Sequence, residues 1–120
     1  MPSVLILDEA PLRVLWLEAV LQGMDWQCLR GDTQEKALPL ADITLLALHL
    51  QHGNGFESAM ALRRQGHRRI WLLSDLPAQT DDLWARSLGL EGVLRVPAPI
   101  ENFRSLLRAS LEVRHEAPCA

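Results

Sequence analysis

Residues 3–9 read Ser3-Val4-Leu5-Ile6-Leu7-Asp8-Glu9. An uninterrupted apolar run that stops at an acidic pair is the pattern of a strand buried on both faces, as in a parallel sheet, because an antiparallel strand with one wet face alternates. A helical stretch follows. Pro11 can open it and Gly23 can close it, and Leu12, Leu15, Trp16, Ala19 and Val20 recur at helical spacing as its inward stripe. The same alternation of short apolar run and helix continues along the chain. Residues 26–29 predict a weak second strand and residues 43–48 a third, apolar apart from Thr44. Residues 70–73 predict a fourth strand and residues 92–96 a fifth. Between them, residues 32–40 predict a short helix at best, limited by Pro39. Residues 51–55 form a turn, and residues 56–64 predict a helix. Residues 80–88 predict another, with Thr80 as N-cap and Asp81 and Asp82 at its positive end. Ile100, Phe103, Leu106, Leu107 and Leu111 mark an amphipathic final helix.

Five strands alternating with about five helices, the second short or absent, specify an α/β domain with a doubly wound parallel sheet. The chain has 120 residues, 48% of them apolar and 22% charged, with a formal charge of −3. That length suits one domain, expected over residues 1–114 with a tail or linker start at 115–120, and it needs no disulfide or metal staple. The acidic balance argues against a direct grip on nucleic-acid phosphates. The longest apolar runs fall well short of a membrane span, and the opening lacks a basic leader, so a cytoplasmic protein is expected. Cys28 and Cys119 stand far apart, outside any CxxC spacing, and are expected to be free thiols, with Cys28 in the core.

In such a sheet, chemistry gathers at the carboxyl ends of the strands. Those ends carry Asp8 and Glu9, then Ala47 to His49, then Ser74 and Asp75, then Arg95 to Pro97. In their order and spacing they resemble the receiver domain of two-component response regulators, the CheY-like fold with strand order 2-1-3-4-5. The opening residues 4–12, with a Pro two positions after the acidic pair, are most like receivers of helix-turn-helix transcriptional regulators. Residues 41–50 with Gly53-Asn54-Gly55-Phe56-Glu57 match the third strand and its loop. Leu72-Leu73-Ser74 resembles strand four with its terminal hydroxyl, and residues 89–97 resemble strand five with its Pro. The resemblance covers roughly residues 3–112.

A working receiver, by that resemblance, holds Mg²⁺ between an acidic pair and a third-strand Asp that accepts a phosphoryl group, and a hydroxyl and a Lys bind the phosphoryl oxygens. Here Ala47 stands at the phosphoacceptor position and Val96 at the position of the Lys. Val93 stands where an aromatic switch residue is usual, and Gln51 replaces a common Pro. The only lysine is Lys36, in the second-helix region. Asp8, Glu9, Ser74 and Pro97 remain as a remnant pocket. Losing the Asp and the Lys together is understandable, because breaking one member of a buried charge set costs about 3–5 kcal/mol whereas replacing the partners together can be neutral. Asp8 and Glu9 would retain at most weak Mg²⁺ binding, with no other cofactor.

Other features read plainly. Ser74 or Asp75 could act as a substitute acceptor, but Ser74 is expected to cap a loop. Strand alternation points Arg95 away from Val96, so it does not replace the Lys. His49 and His52 are loop histidines without a recognised zinc spacing. Arg63-Arg64 and Arg68-Arg69 suit a helix carboxyl end. Trp84, Arg86, Val93, Arg95 and Phe103 are candidates for an interaction face. The resemblance therefore implies an atypical, phosphorylation-independent receiver without enzymatic activity. It would serve as a dimerisation or protein-interaction module in signal transduction and transcription regulation, reaching DNA only through a separate output domain. The alternative is a ligand-gated receiver that binds a small molecule in the vacated pocket around Ala47 and Val96.

Overall fold

The computed structural model describes residues 1–112, so the tail at 115–120, the boundary at 114 and Cys119 lie outside the described residues. In chain order the elements are β1 (Ser3–Leu7), α1 (Pro11–Gln22), β2 (Gln27–Arg30), β3 (Ile43–Ala47), β4 (His49–Leu50), β5 (Gly53–Asn54), α2 (Gly55–Arg64), β6 (Ile70–Ser74), α3 (Gln79–Ser87), β7 (Gly92–Arg95) and α4 (Ile100–Glu112). Five strands form one parallel sheet in the order β2-β1-β3-β6-β7. Counting only those strands, the order is 2-1-3-4-5, the one the resemblance implied, in the parallel sheet expected from the apolar runs. The remaining pair, β4 and β5, is a small antiparallel hairpin where the sequence suggested only a turn.

Alternate residues of each strand enter two separate cores. Val4, Ile6, Ile43, Leu45, Trp71, Leu73, Leu94 and Val96 pack against Val14, Leu17, Val20 and Leu21 of α1 and Phe103 and Leu107 of α4. Leu5, Leu7, Leu46, Leu48, Ile70 and Leu72 pack on the other face against Ala59, Leu62, Ala85 and Leu90. Burial on both faces is why the strands show no period of two.

Several local expectations are corrected. Among the described residues there are four helices, because residues 31–40 form turns rather than a helix. Pro39 denies that short segment a backbone donor, and Asp32 instead closes a turn by accepting from Gln34 N at 2.9 Å. The apolar positions read in α1 are only partly its inner face: Val20 is buried and Trp16 packs against the core, whereas Leu12, Leu15 and Ala19 are exposed. Leu12 is 81% exposed and Leu15 63%, while the buried residues are Val14, Leu17, Val20 and Leu21. Apolar side chains surround this helix, so periodicity alone could not select its inner face. Thr80 lies within α3 and does not cap it. The N-cap is Ala78, whose N–H donates to Asp81 Oδ2 at 2.8 Å. Cys28 is only half-buried, at the margin of the α1–α4 core.

Candidate functional site

Every parallel strand delivers its carboxyl end to the same edge of the sheet, so the residues after β1, β3, β6 and β7 meet there. Asp8 is the first. Its side chain is fully removed from solvent. Oδ1 accepts from Ala10 N at 2.9 Å and from Arg13 Nη2 at 2.9 Å, and Oδ2 accepts from Arg13 Nε. Arg13 comes from the first turn of α1, which Pro11 opens at the first helical position, and a helical side chain there leans back over the residues that precede the helix. Its side chain is 15% exposed. The hydrogen bonds that Arg13 donates to Asp8 raise the Arg13 pKa above its ordinary value against the opposing effect of burial, and the charges of Asp8 and Asp75 add to the rise. The two acids therefore differ: the Asp8 side chain is withdrawn from water, whereas Glu9 remains exposed. Asp8 is half of a bidentate ion pair, and Glu9 accepts from Gln51 N at 3.1 and 3.3 Å, tying the β4–β5 hairpin to the end of β1.

Ala47, the last residue of β3, is fully buried. Beyond it the chain turns sharply: Leu48 N donates to Leu73 O at 2.8 Å and Gly55 N to Leu48 O at 2.7 Å. A Cβ at Gly55 would lie 2.6 Å from Ala47 O and 2.8 Å from Leu48 Cα. Only glycine allows this close approach of helix start to strand end. Ser74 is buried, and its Oγ accepts from Leu76 N at 3.2 Å, the loop-capping role expected of it. Val96 is fully buried in the α1–α4 core, donates N–H to Ser74 O at 3.0 Å, and precedes a cis peptide bond to exposed Pro97.

Ala47 and Val96, where a roomy pocket was expected, are both fully buried among the described residues. A cleft of about 120 Å³ lies beside Asp8, lined by Leu7, Asp8, Glu9, Gly31, Asp32, Thr33 and Leu50. Among the described residues no group of three His, Cys, Asp or Glu side chains is placed to hold a metal ion. The Mg²⁺ that the fold implies does not fit the residues present: position 47 offers no side-chain oxygen, and both oxygens of Asp8 are engaged by a guanidinium.

The candidate interaction residues separate into three places. Trp84 is 58% exposed and turns its ring edge-on to Phe56 of α2, with centroids 6.4 Å apart. Arg86, Val93 and exposed Arg95 lie toward the β7 edge, where Asp82 accepts from Val93 N and Arg86 Nε, each at 2.8 Å. Burial acts to raise the Asp82 pKa, but those two donors and the Arg86 charge outweigh it and hold the pKa below the ordinary value. Phe103 is a correction. It is a core residue, 2% exposed, packed edge-on against Trp16 at 5.1 Å.

His49 and His52 are exposed in and beside the hairpin, as expected of loop histidines. Of the arginine pairs, Arg63 donates to Leu88 O, and Arg69 Nε donates to Ser110 O at 3.1 Å. Ser110 Oγ also accepts from the buried indole of Trp71 at 3.2 Å. The sequence reading missed both Arg13 and Ser110. Arg13 carried a usable signal, an arginine in the first turn of a helix that begins three residues after a strand-end carboxylate.

The sequence matches no family model and no curated protein. Solved structures are similar to it. The non-phosphorylated HemR receiver domain from Leptospira biflexa superposes with a TM-score of 0.81 at 17% identity, covering 97% of this chain and 98% of that one. The receiver domain of the Francisella response regulator 1452 gives 0.80 at 15% identity, covering 93% and 98%. The receiver domain of the sensor histidine kinase PA1611 from Pseudomonas aeruginosa, which has a magnesium ion coordinated in its active site cleft, gives 0.74 at 17% identity, covering 93% and 98%. At these identities the likeness is one of fold: the chain has the CheY-like receiver fold over nearly its whole length.

Proposed function

We propose that this chain is a receiver-like signalling domain that works without phosphorylation. It acts as a protein-interaction and dimerisation module of an atypical response regulator, not as an enzyme, and is cytoplasmic. Its output is transcriptional, through a separate DNA-binding domain. The observation that carries the reading is the buried methyl of Ala47 at the tip of β3, where an acyl phosphate would need a carboxylate. Buried Val96 supports it, because no Lys stands there to meet phosphoryl oxygens. Val93 supports it too: a receiver is a two-state element biased by phosphate, and without acceptor, Lys or aromatic switch that bias has no handle. Exposed Trp84 and the Arg86–Val93–Arg95 edge are the surfaces offered to a partner, an exposed Trp being a strong interface anchor. Among the described residues no helix is long and apolar enough to cross a membrane.

Light scattering over a concentration range, with and without beryllofluoride and Mg²⁺, tests the reading. A concentration-dependent dimer indifferent to beryllofluoride supports it, and a dimer that forms only with beryllofluoride sinks it.

A further inference from the structure

We propose that the outer face of α1 is a second interaction surface, and that its occupant is the same face of a second copy of this chain. The inference goes beyond the reading above. This face is not the Trp84 surface, and its pairing stands whether or not phosphorylation controls the domain.

A helix that is apolar on every side is covered on every side in a finished assembly. α1 is such a helix. Val14, Leu17, Val20 and Leu21 fill the core beneath it, yet Leu12, Leu15 and Ala19 remain exposed on its outer side. Their spacing of three and then four residues is that of a coiled-coil seam, and such a seam is matched by a partner apolar at the same spacing. The chain itself supplies that partner. In a two-fold contact each patch meets its own copy, so any charge on the patch meets a like charge. Here there is none to meet. The only charged residues of α1 are Arg13, which is bound by Asp8, and Glu18, which is paired with Arg30 at 3.8 Å. Leu15 stands near the middle of the helix, so a two-fold axis passing beside it sets the two copies of α1 antiparallel. The small Ala19, one turn on from Leu15, leaves a hollow for the opposing leucine, as knobs-into-holes packing requires. The 12 residues of α1 span only about 18 Å. A strip of that length buries less than the roughly 800 Å² per partner of a standard interface, so the pairing is weak and driven by concentration. α1 packs on one face of the sheet and α3, which carries Trp84, on the other, so the two surfaces do not compete.

The test is sedimentation velocity on the full 120-residue chain over a range of concentrations. Every protein also carries Trp84→Ala, so that only the α1 face is read. This parent is compared with Leu15→Glu, with Leu15→Lys, and with an equimolar mixture of those two. The parent is expected to self-associate, and each charged variant to do so about tenfold or more weakly. The mixture is expected to regain most of the loss, because opposite charges then meet across the axis. Thermal melts confirm that both variants fold, as an exposed position allows. Were either to melt far below the parent, the milder Leu15→Gln reads the weakening instead, and association as tight as the parent's overturns the proposal. A parent that stays monomeric overturns it. So do charged variants that associate like the parent, and a mixture that associates no better than its components. A dimer of the natural sequence that forms only with beryllofluoride sinks the functional reading, while these four samples still decide the α1 contact.

Discussion

Ala47→Asp restores a carboxylate to the tip of β3, and the structure indicates what that costs. Position 47 has no solvent exposure, and the one guanidinium of the site is already engaged by Asp8. A charged carboxylate introduced there would therefore be buried without a committed partner. We expect a loss of about 3–5 kcal/mol at pH 8, a large part of the roughly 5–15 kcal/mol that holds a domain of this kind together. Burial raises the carboxyl pKa in the folded state above its unfolded value of about 3.9. The folded chain then holds the proton more tightly, so the loss is small below pH 4 and grows as pH rises toward the folded-state pKa. Val96→Lys, at a position equally buried, is expected to cost a similar amount. Positions 47 and 96 lie at the carboxyl ends of β3 and β7, two strands apart across β6, so if the two charges pair the double variant should lose less than the sum of the single losses by about 1–3 kcal/mol. Urea denaturation of all four proteins at pH 5 and pH 8 reads the cycle. Strictly additive losses, or an Ala47→Asp variant as stable as the natural sequence at pH 8, would refute the reasoning that these two positions are a converted charge pair.

Three further outcomes are expected. His67 is 3% exposed, its Nδ1 has no hydrogen-bond partner among the described residues, and burial lowers its pKa below the ordinary 6.5. The unfolded chain then takes up the proton first, so stability is complete above pH 6.5 and declines as pH falls toward the folded-state pKa, no more steeply than about 1.4 kcal/mol per pH unit; His67→Leu should remove that part of the slope in melts from pH 7 to pH 5. Gly55→Ala should destabilise the domain by about 1–3 kcal/mol, because its Cβ meets the backbone of Ala47 and Leu48 rather than a movable side chain; an unchanged melting temperature would contradict the close approach. Trp84→Ala should weaken self-association by about tenfold or more in sedimentation velocity and leave the melt nearly unchanged, since the ring is more than half exposed; unaltered association would remove Trp84 from the interface.

The sheet was legible because its strands are buried on both faces, and apolar runs without alternation report that directly. Asp8, Ala47, Ser74 and Val96 were legible for a related reason: strand ends in a doubly wound sheet converge by topology, whatever the side chains do. Three things were not legible, each for a physical cause. The inner face of α1 could not be read because Leu12 and Leu15 put apolar groups on its solvent side as well. Phe103 and Trp84 could not be separated by residue type, since both are large aromatics on surface helices, and only packing against Trp16 or Phe56 distinguishes core from surface. The partner of Asp8 was hidden because hydrogen-bond geometry, not sequence distance, decides which of several nearby cations answers a buried carboxylate.

Ala47 puts a methyl, not a carboxylate, at the tip of β3, and on this the proposed function rests. Incubation of the chain with acetyl phosphate and Mg²⁺, followed by intact-mass spectrometry, tests it without intermediaries. An unmodified mass is the predicted result; an added phosphoryl group, mapped to any aspartate at the carboxyl edge of the sheet, would contradict it.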